Sequence, residues 1–208
     1  MRLDQRLVEQ WVRPGSRVLD LGCGNGELLA HLQRTRQVRG YGMEIDADKI
    51  TAAIARGVNV IEQDLNRGLA NLADASFDTL LMAQALQAVQ RPDELLDDMV
   101  RVAREVIVTF PNFGHWKTRW YLIRHGRMPV SRALPYGWYD TPNIHLCTFR
   151  DFEAMCREKG LKVLDRLAVD QDQQGSGLSR LFPNLFGEIG IFRVSRGEVI
   201  ARGAVRGR

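Results

Sequence analysis

Cysteine is scarce in this sequence: three in 208 residues, at 23, 147 and 156, an odd number without shared spacing. Such a count excludes a disulfide framework, and the expected setting is a reducing cytoplasm. No apolar run approaches the roughly 20 residues of a membrane span, and the first residues lack a secretory pattern, so no membrane contact is expected. Neither sign of charge dominates, with 29 Lys and Arg against 25 Asp and Glu. The net of +4 is local: residues 113–142 carry +4 and residues 195–208 carry +3, so the remainder sums to −3. A mildly acidic body argues against general nucleic-acid binding, which needs a basic face.

Catalytic signatures are missing as well. Gly175-Ser176-Gly177 falls in a predicted loop, without the strand-turn-helix setting of a nucleophile elbow. His145 and Cys147 offer two metal ligands where a zinc site needs three or four, so no metal is expected. The run 18–27 (VLDLGCGNGE) has glycines at 22, 24 and 26 but Glu at 27, where a dinucleotide fingerprint needs its third glycine. A carboxylate there would repel a pyrophosphate. The spacing instead favours a ligand carrying both a cation and a carboxylate, which describes S-adenosylmethionine (SAM) better than NAD.

What is present is a strand-helix alternation. Residues 1–12 place Leu3, Leu7, Val8, Trp11 and Val12 on one helical face, closed by Pro14-Gly15. Strands are predicted over 17–21, 38–45, 58–63, 77–83 and 105–110, with helices starting at Glu27 and spanning 47–56 and 92–103. A helix over 150–159 and strands over 161–169 and 188–194 complete the pattern. Such alternation gives an α/β fold: a doubly wound, mainly parallel seven-stranded sheet, its last strand antiparallel because only a loop over 170–187 precedes it. Residues 1–194 are expected to form one domain with 113–142 as a lid or insertion, and 195–208 a fraying basic tail. Ligands of such sheets sit at the strands' carboxyl ends, where Asp20, Glu44, Asp64, Gln84 and Asn112 all fall.

With the elements placed, VLDLGCGNGE, YGMEID, VIEQDL and FDTLLMAQALQAV resemble the class I SAM-dependent methyltransferases. FPNFGHW, GRMPV and LPYGWYDTPNIHLCT narrow the resemblance to the methionine biosynthesis family MetW. That resemblance implies SAM, or its demethylated product S-adenosylhomocysteine, as cofactor. It implies that Asp20 and Gly22 meet the amino-acid portion, that Gly24 and Gly26 shape the loop, and that Glu44, beside Ile45, takes the ribose hydroxyls. Asp64 is implied to take the adenine amino group, Leu65 to pack near the ring, and Gln84 to lie near the sulfonium. It also implies an accessory role toward homoserine O-acyltransferase (MetX), weighed ahead of methyl transfer to a small, acidic or planar acceptor. Other readings stay open: Glu44 as a helix cap beside Asp46, and Asp64 as a turn cap.

Between 113 and 142 lie three of four Trp, three of four Tyr and five basic residues. Interleaved rings and arginines have the composition of a binding surface. The alternative is a lid whose rings pack on the sheet ends while the arginines reach for water. His115, Tyr139, Asp140 and His145 are the candidate acid–base groups.

Overall fold

The computed structural model describes residues 3–131, 133–169, 179 and 181–197. Its elements run α1 (Leu3–Trp11), β1 (Arg17–Leu21), α2 (Glu27–Arg36), β2 (Arg39–Glu44), α3 (Ala47–Ala55) and β3 (Asn59–Glu62). They continue with β4 (Phe77–Ala83), α4 (Pro92–Val102), β5 (Ala103–Pro111), α5 (Trp116–His125), α6 (Phe149–Glu158), β6 (Leu161–Val169), a one-turn helix α7 (Pro183–Phe186) and β7 (Ile189–Arg196). The sheet has seven strands in the order β3-β2-β1-β4-β5-β7-β6. All pairs are parallel except those of β7, which runs antiparallel to both β5 and β6. No helix among the described residues is long and apolar enough to cross a membrane.

Alternation along the strands splits the core into two layers. Leu19, Leu21, Leu80, Met82, Val106, Val108 and Phe110 face one side, packed with Leu96 and Met99 of α4 and Phe149 and Phe152 of α6. Val18, Leu81, Ile107 and Ile191 face the other, against Val8 and Val12 from the first helical segment and Leu29 and Leu32 of α2. Period-two alternation feeds both layers because each face is covered by helices. The side of the sheet on which a strand residue emerges therefore fixes which helix it meets. Asp20 and Thr109 emerge toward α1, which matters for the site.

Several boundaries differ from the sequence expectation. Strand five begins at Ala103, two residues early, because α4 delivers the chain directly into it with no intervening turn. β7 runs to Arg196, so Ser195 and Arg196 pair with Lys162 and Leu161 instead of belonging to a tail. The segment expected as a loop over 170–187 contains α7, opened by Pro183. Its residues 170–178, like the expected tail from 198 onward, lie outside the described residues.

The segment between β5 and α6 corrects one reading of its aromatics. Trp120, Trp138 and Tyr139 are 61%, 76% and 78% exposed, so these rings do not pack on the sheet ends. In α5 the apolar residues Trp116, Trp120 and Ile123 follow i, i+4, i+7 spacing and all are exposed. An apolar helical stripe facing water is the reverse of an ordinary surface helix.

Candidate functional site

Asp20 is buried one residue before the end of β1 at Leu21, and the chain then turns through three glycines with positive φ: 68° at Gly22, 55° at Gly24 and 73° at Gly26. The N–H groups of Gly22 and Cys23 donate to the Met43 carbonyl at 2.9 and 3.0 Å, tying the turn to β2. Gly26 is required twice over. Besides its left-handed backbone, a Cβ there would sit 2.9 Å from the Ala53 methyl of α3. Gly24 has nothing within 4 Å of where a Cβ would be, so its surroundings are open.

Cys23 is a filler, as its place in the turn suggests. A Cβ on Gly42 would lie 2.4 Å from its sulfur, so the thiol occupies the space that glycine leaves on β2. Burial, then the nearby charges of Asp20 and Glu44, push this thiol's pKa up to about 12. It is inert at neutral pH.

Glu44 closes β2 and is 8% exposed. Its Oε2 accepts the Gly24 N–H at 2.9 Å, and Oε1 accepts those of Ile45 and Asp46 at 2.9 and 3.1 Å. The carboxylate therefore braces the glycine turn against the end of β2. The helix-cap reading does not hold: Asp46 caps α3, accepting from Asp48 and Lys49. Ile45 projects outward, 59% exposed. Asp64 does cap a turn, its Oδ1 accepting the Asn66 backbone N–H and side-chain amide at 2.9 Å each. Leu65 follows it and lies next to Gly22. Gln84 directly follows β4 with φ 58°, a left-handed conformation uncommon for a residue with a side chain.

α1 brings two residues that the sequence reading missed. Asp4 is 1% exposed and accepts from the Gln84 side-chain amide at 3.1 Å and the Thr109 hydroxyl at 3.3 Å. Gln5 joins Asp20, Gly22, Gly24 and Ala83 around a cavity of about 260 Å³. The signal was present: Asp4 lies four residues before Val8 and so on the buried face of an amphipathic helix. An acidic residue at such a position has a polar partner inside the fold.

The four candidate acid–base groups are not brought together. His115 is buried at the N-cap of α5, where Nδ1 accepts the Lys117 N–H at 3.4 Å, which assigns the ring proton to Nε2. It lines a second cavity of about 230 Å³ with Asn112, Lys117, Tyr121 and Glu188, at the carboxyl end of β5. Asn112 holds this rim in place, donating to the carbonyls of Asn184 and Gly187 at 3.1 and 2.7 Å. His145 is exposed, its Nε2 3.2 Å from the Gln90 carbonyl. Tyr139 and Asp140 are exposed and line neither cavity. Among the described residues no cluster of three or more His, Cys, Asp or Glu side chains is placed to hold a metal ion.

Comparison with known proteins bears on the family and the fold of this chain. A family model described as methionine biosynthesis protein MetW matches residues 2–194. A bifunctional methionine biosynthesis protein MetXA/MetW from Rhodopirellula baltica is 34% identical over 83% of this chain. The chain spans only 29% of that relative's length. Among solved structures, an S-adenosylmethionine-dependent methyltransferase from Mesorhizobium loti superimposes with TM-score 0.66 at 16% identity, covering 92% of this chain and 96% of that one. A TehB-like SAM-dependent methyltransferase from Corynebacterium glutamicum gives TM-score 0.62 at 16% identity, over 95% and 89% of the two chains. At such identity the likeness establishes the fold.

Proposed function

Since the chain belongs to the MetW family of methionine biosynthesis proteins, we propose that it binds SAM in the glycine cradle and catalyses methyl transfer to a small acceptor. The observation that carries the reading is a pair of cavities at the carboxyl ends of the central strands. One is walled by Asp20, Gly22, Gly24 and Gln5, the other by His115, Lys117 and Tyr121. The strands beneath them, β1, β4 and β5, are consecutive in the sheet. A donor and an acceptor thus each have a place.

The residues present fit the cofactor. Open space at Gly24 admits a ligand close to the backbone, and buried Asp20 offers a carboxylate to a cationic group. Oε2 of Glu44 receives one N–H, so it retains a lone pair for a ribose hydroxyl, while Oε1 already receives two. That is a narrower role than contact with both hydroxyls through both oxygens. Asp64 and Leu65 stand after β3 to meet the adenine amino group and ring. When bound, SAM supplies an electrophilic methyl group. The chain's own contribution is orientation and exclusion of water more than proton transfer. His115, with its proton on Nε2, is the one buried imidazole lining this second cavity, and there the Lys117 ammonium is paired with the Glu188 carboxylate at 3.7 Å.

The test is incubation with methyl-labelled SAM and a small-molecule extract, following S-adenosylhomocysteine and labelled product. Product formation that falls with His115→Ala supports the reading. A protein that binds SAM but never turns it over contradicts it.

A second reading, an accessory subunit of homoserine O-acyltransferase, is favoured by one specific observation. The Rhodopirellula baltica relative carries MetXA and MetW in a single name and chain. The exposed stripe Trp116, Trp120 and Ile123 then becomes the surface for that partner. Assaying the acyltransferase with and without this chain, with SAM titrated, separates the two readings. Any effect of SAM on partner affinity must be matched by an equal effect of partner on SAM affinity.

A further inference from the structure

A third cavity, of about 340 Å³, shares no lining residue with the two already described. Three arginines line it, from separate elements: Arg119 from α5, Arg150 from α6 and Arg166 from β6. Only one carboxylate, Glu153, is among its walls, and it pairs with Arg166. Arg119 directs Nε–H to the Gly114 carbonyl at 2.6 Å, which orients its fork and leaves the terminal N–H groups for other acceptors. Arg150 makes no side-chain hydrogen bond or ion pair among the described residues. Apart from Asn184 the rest of the wall is apolar: Phe149 is buried, while Leu181 and Phe182 are 74% and 58% exposed.

All three arginines are exposed and Arg166 is paired with Glu153, so solvent screens their repulsion, and the attraction for an anion comes chiefly from the donors of Arg119 and Arg150. A planar fork with several donors matches the oxygens of phosphate or carboxylate, bidentately where geometry permits. The volume lies within the range of small-molecule pockets. We propose that this cavity binds a small oxyanion carried on an apolar arm, the anion between Arg150 and Arg119 and the arm against Leu181 and Phe182. This goes beyond the cofactor reading and does not depend on it.

Calorimetry on the full chain at low salt, with phenyl phosphate, phenylacetate and inorganic phosphate as probes, tests the assignment. At least one aryl anion should bind saturably, and the tighter of the two identifies the oxyanion. Inorganic phosphate should bind at least about fivefold more weakly than the better aryl anion, for lack of the apolar arm. Arg150→Gln should weaken that aryl anion about tenfold or more, with far-UV circular dichroism and SAM binding unchanged. Phe182→Ala should weaken the aryl anion and leave inorganic phosphate as it was. Absence of saturable binding by both aryl anions, or Arg150→Gln binding as well as the native chain, overturns the proposal. Inorganic phosphate binding as tightly as the aryl anions overturns the assignment of the apolar wall.

Discussion

The Glu44 carboxylate accepts the backbone N–H of Gly24 at 2.9 Å, joining two turns twenty residues apart in the chain. Its other oxygen holds the N–H groups of Ile45 and Asp46. A single buried side chain thereby shapes both the glycine turn after β1 and the turn after β2. Under the proposed cofactor reading, substitution of this residue should affect both the turns and SAM binding.

Glu44→Ala leaves three backbone donors without their acceptor and should destabilise the fold by about 1–3 kcal/mol, read by urea unfolding. SAM affinity should fall by about 1.5–3 kcal/mol. Glu44→Gln retains one acceptor oxygen and should lose less stability than alanine. Equal stability of all three proteins would show that the brace contributes nothing.

Asp4 connects α1 to the ends of β4 and β5 through Gln84 and Thr109. Asp4→Ala should cost about 1–3 kcal/mol and raise hydrogen exchange in α1. Because Gln5 lines the donor cavity, SAM affinity should fall along with it. An Asp4→Ala protein with native exchange rates in α1 would contradict that docking role.

All three thiols are held above their ordinary pKa chiefly by burial: Cys23 and Cys147 at about 12, Cys156 at about 11. A thiol whose folded pKa is raised stabilises the protein fully below its unfolded value, near 9, and loses that contribution as pH rises toward the folded value. Stability should therefore decline from pH 9 to 11, by up to about 1.4 kcal/mol per pH unit for each thiol. Urea melts at pH 8 and 10 check this, against a variant with all three cysteines replaced by alanine. Rapid alkylation of the native protein at pH 8 would contradict the burial.

The apolar stripe on α5 behaves oppositely to a core. Trp120→Ala and Ile123→Ala should change stability by no more than about 0.5 kcal/mol, because both side chains face water. Under the accessory reading the same changes should weaken capture of homoserine O-acyltransferase. A large stability loss instead would mean that the stripe is covered within the chain itself.

Much of this was legible in the sequence, and for physical reasons. Apolar runs bounded by turn residues located the strands, since both faces of the sheet are buried, and helical spacing located α1, whereas α5 went unpredicted within the expected lid. Position at strand ends located Asp20, Glu44, Asp64 and Gln84. The brace formed by Glu44 was not legible, because it depends on the register of β1 against β2, set by Leu21 opposite Met43. Asp4 was overlooked because its partners lie 80 and 105 residues away. The exposure of Trp120 and Trp138 could not be read from composition, since rings mixed with arginine suit a lid and a binding face equally. The third cavity's arginines, at 119, 150 and 166, are far apart in sequence and share a lining only in the folded chain.

The most direct measurement is titration calorimetry of the purified chain with SAM and with S-adenosylhomocysteine, comparing native protein with Asp20→Asn. Saturable binding of at least one of them, weakened about tenfold or more in the variant, is the predicted result. Absence of heat with either nucleoside, from a protein that is folded by circular dichroism, would contradict a cofactor site in the glycine cradle.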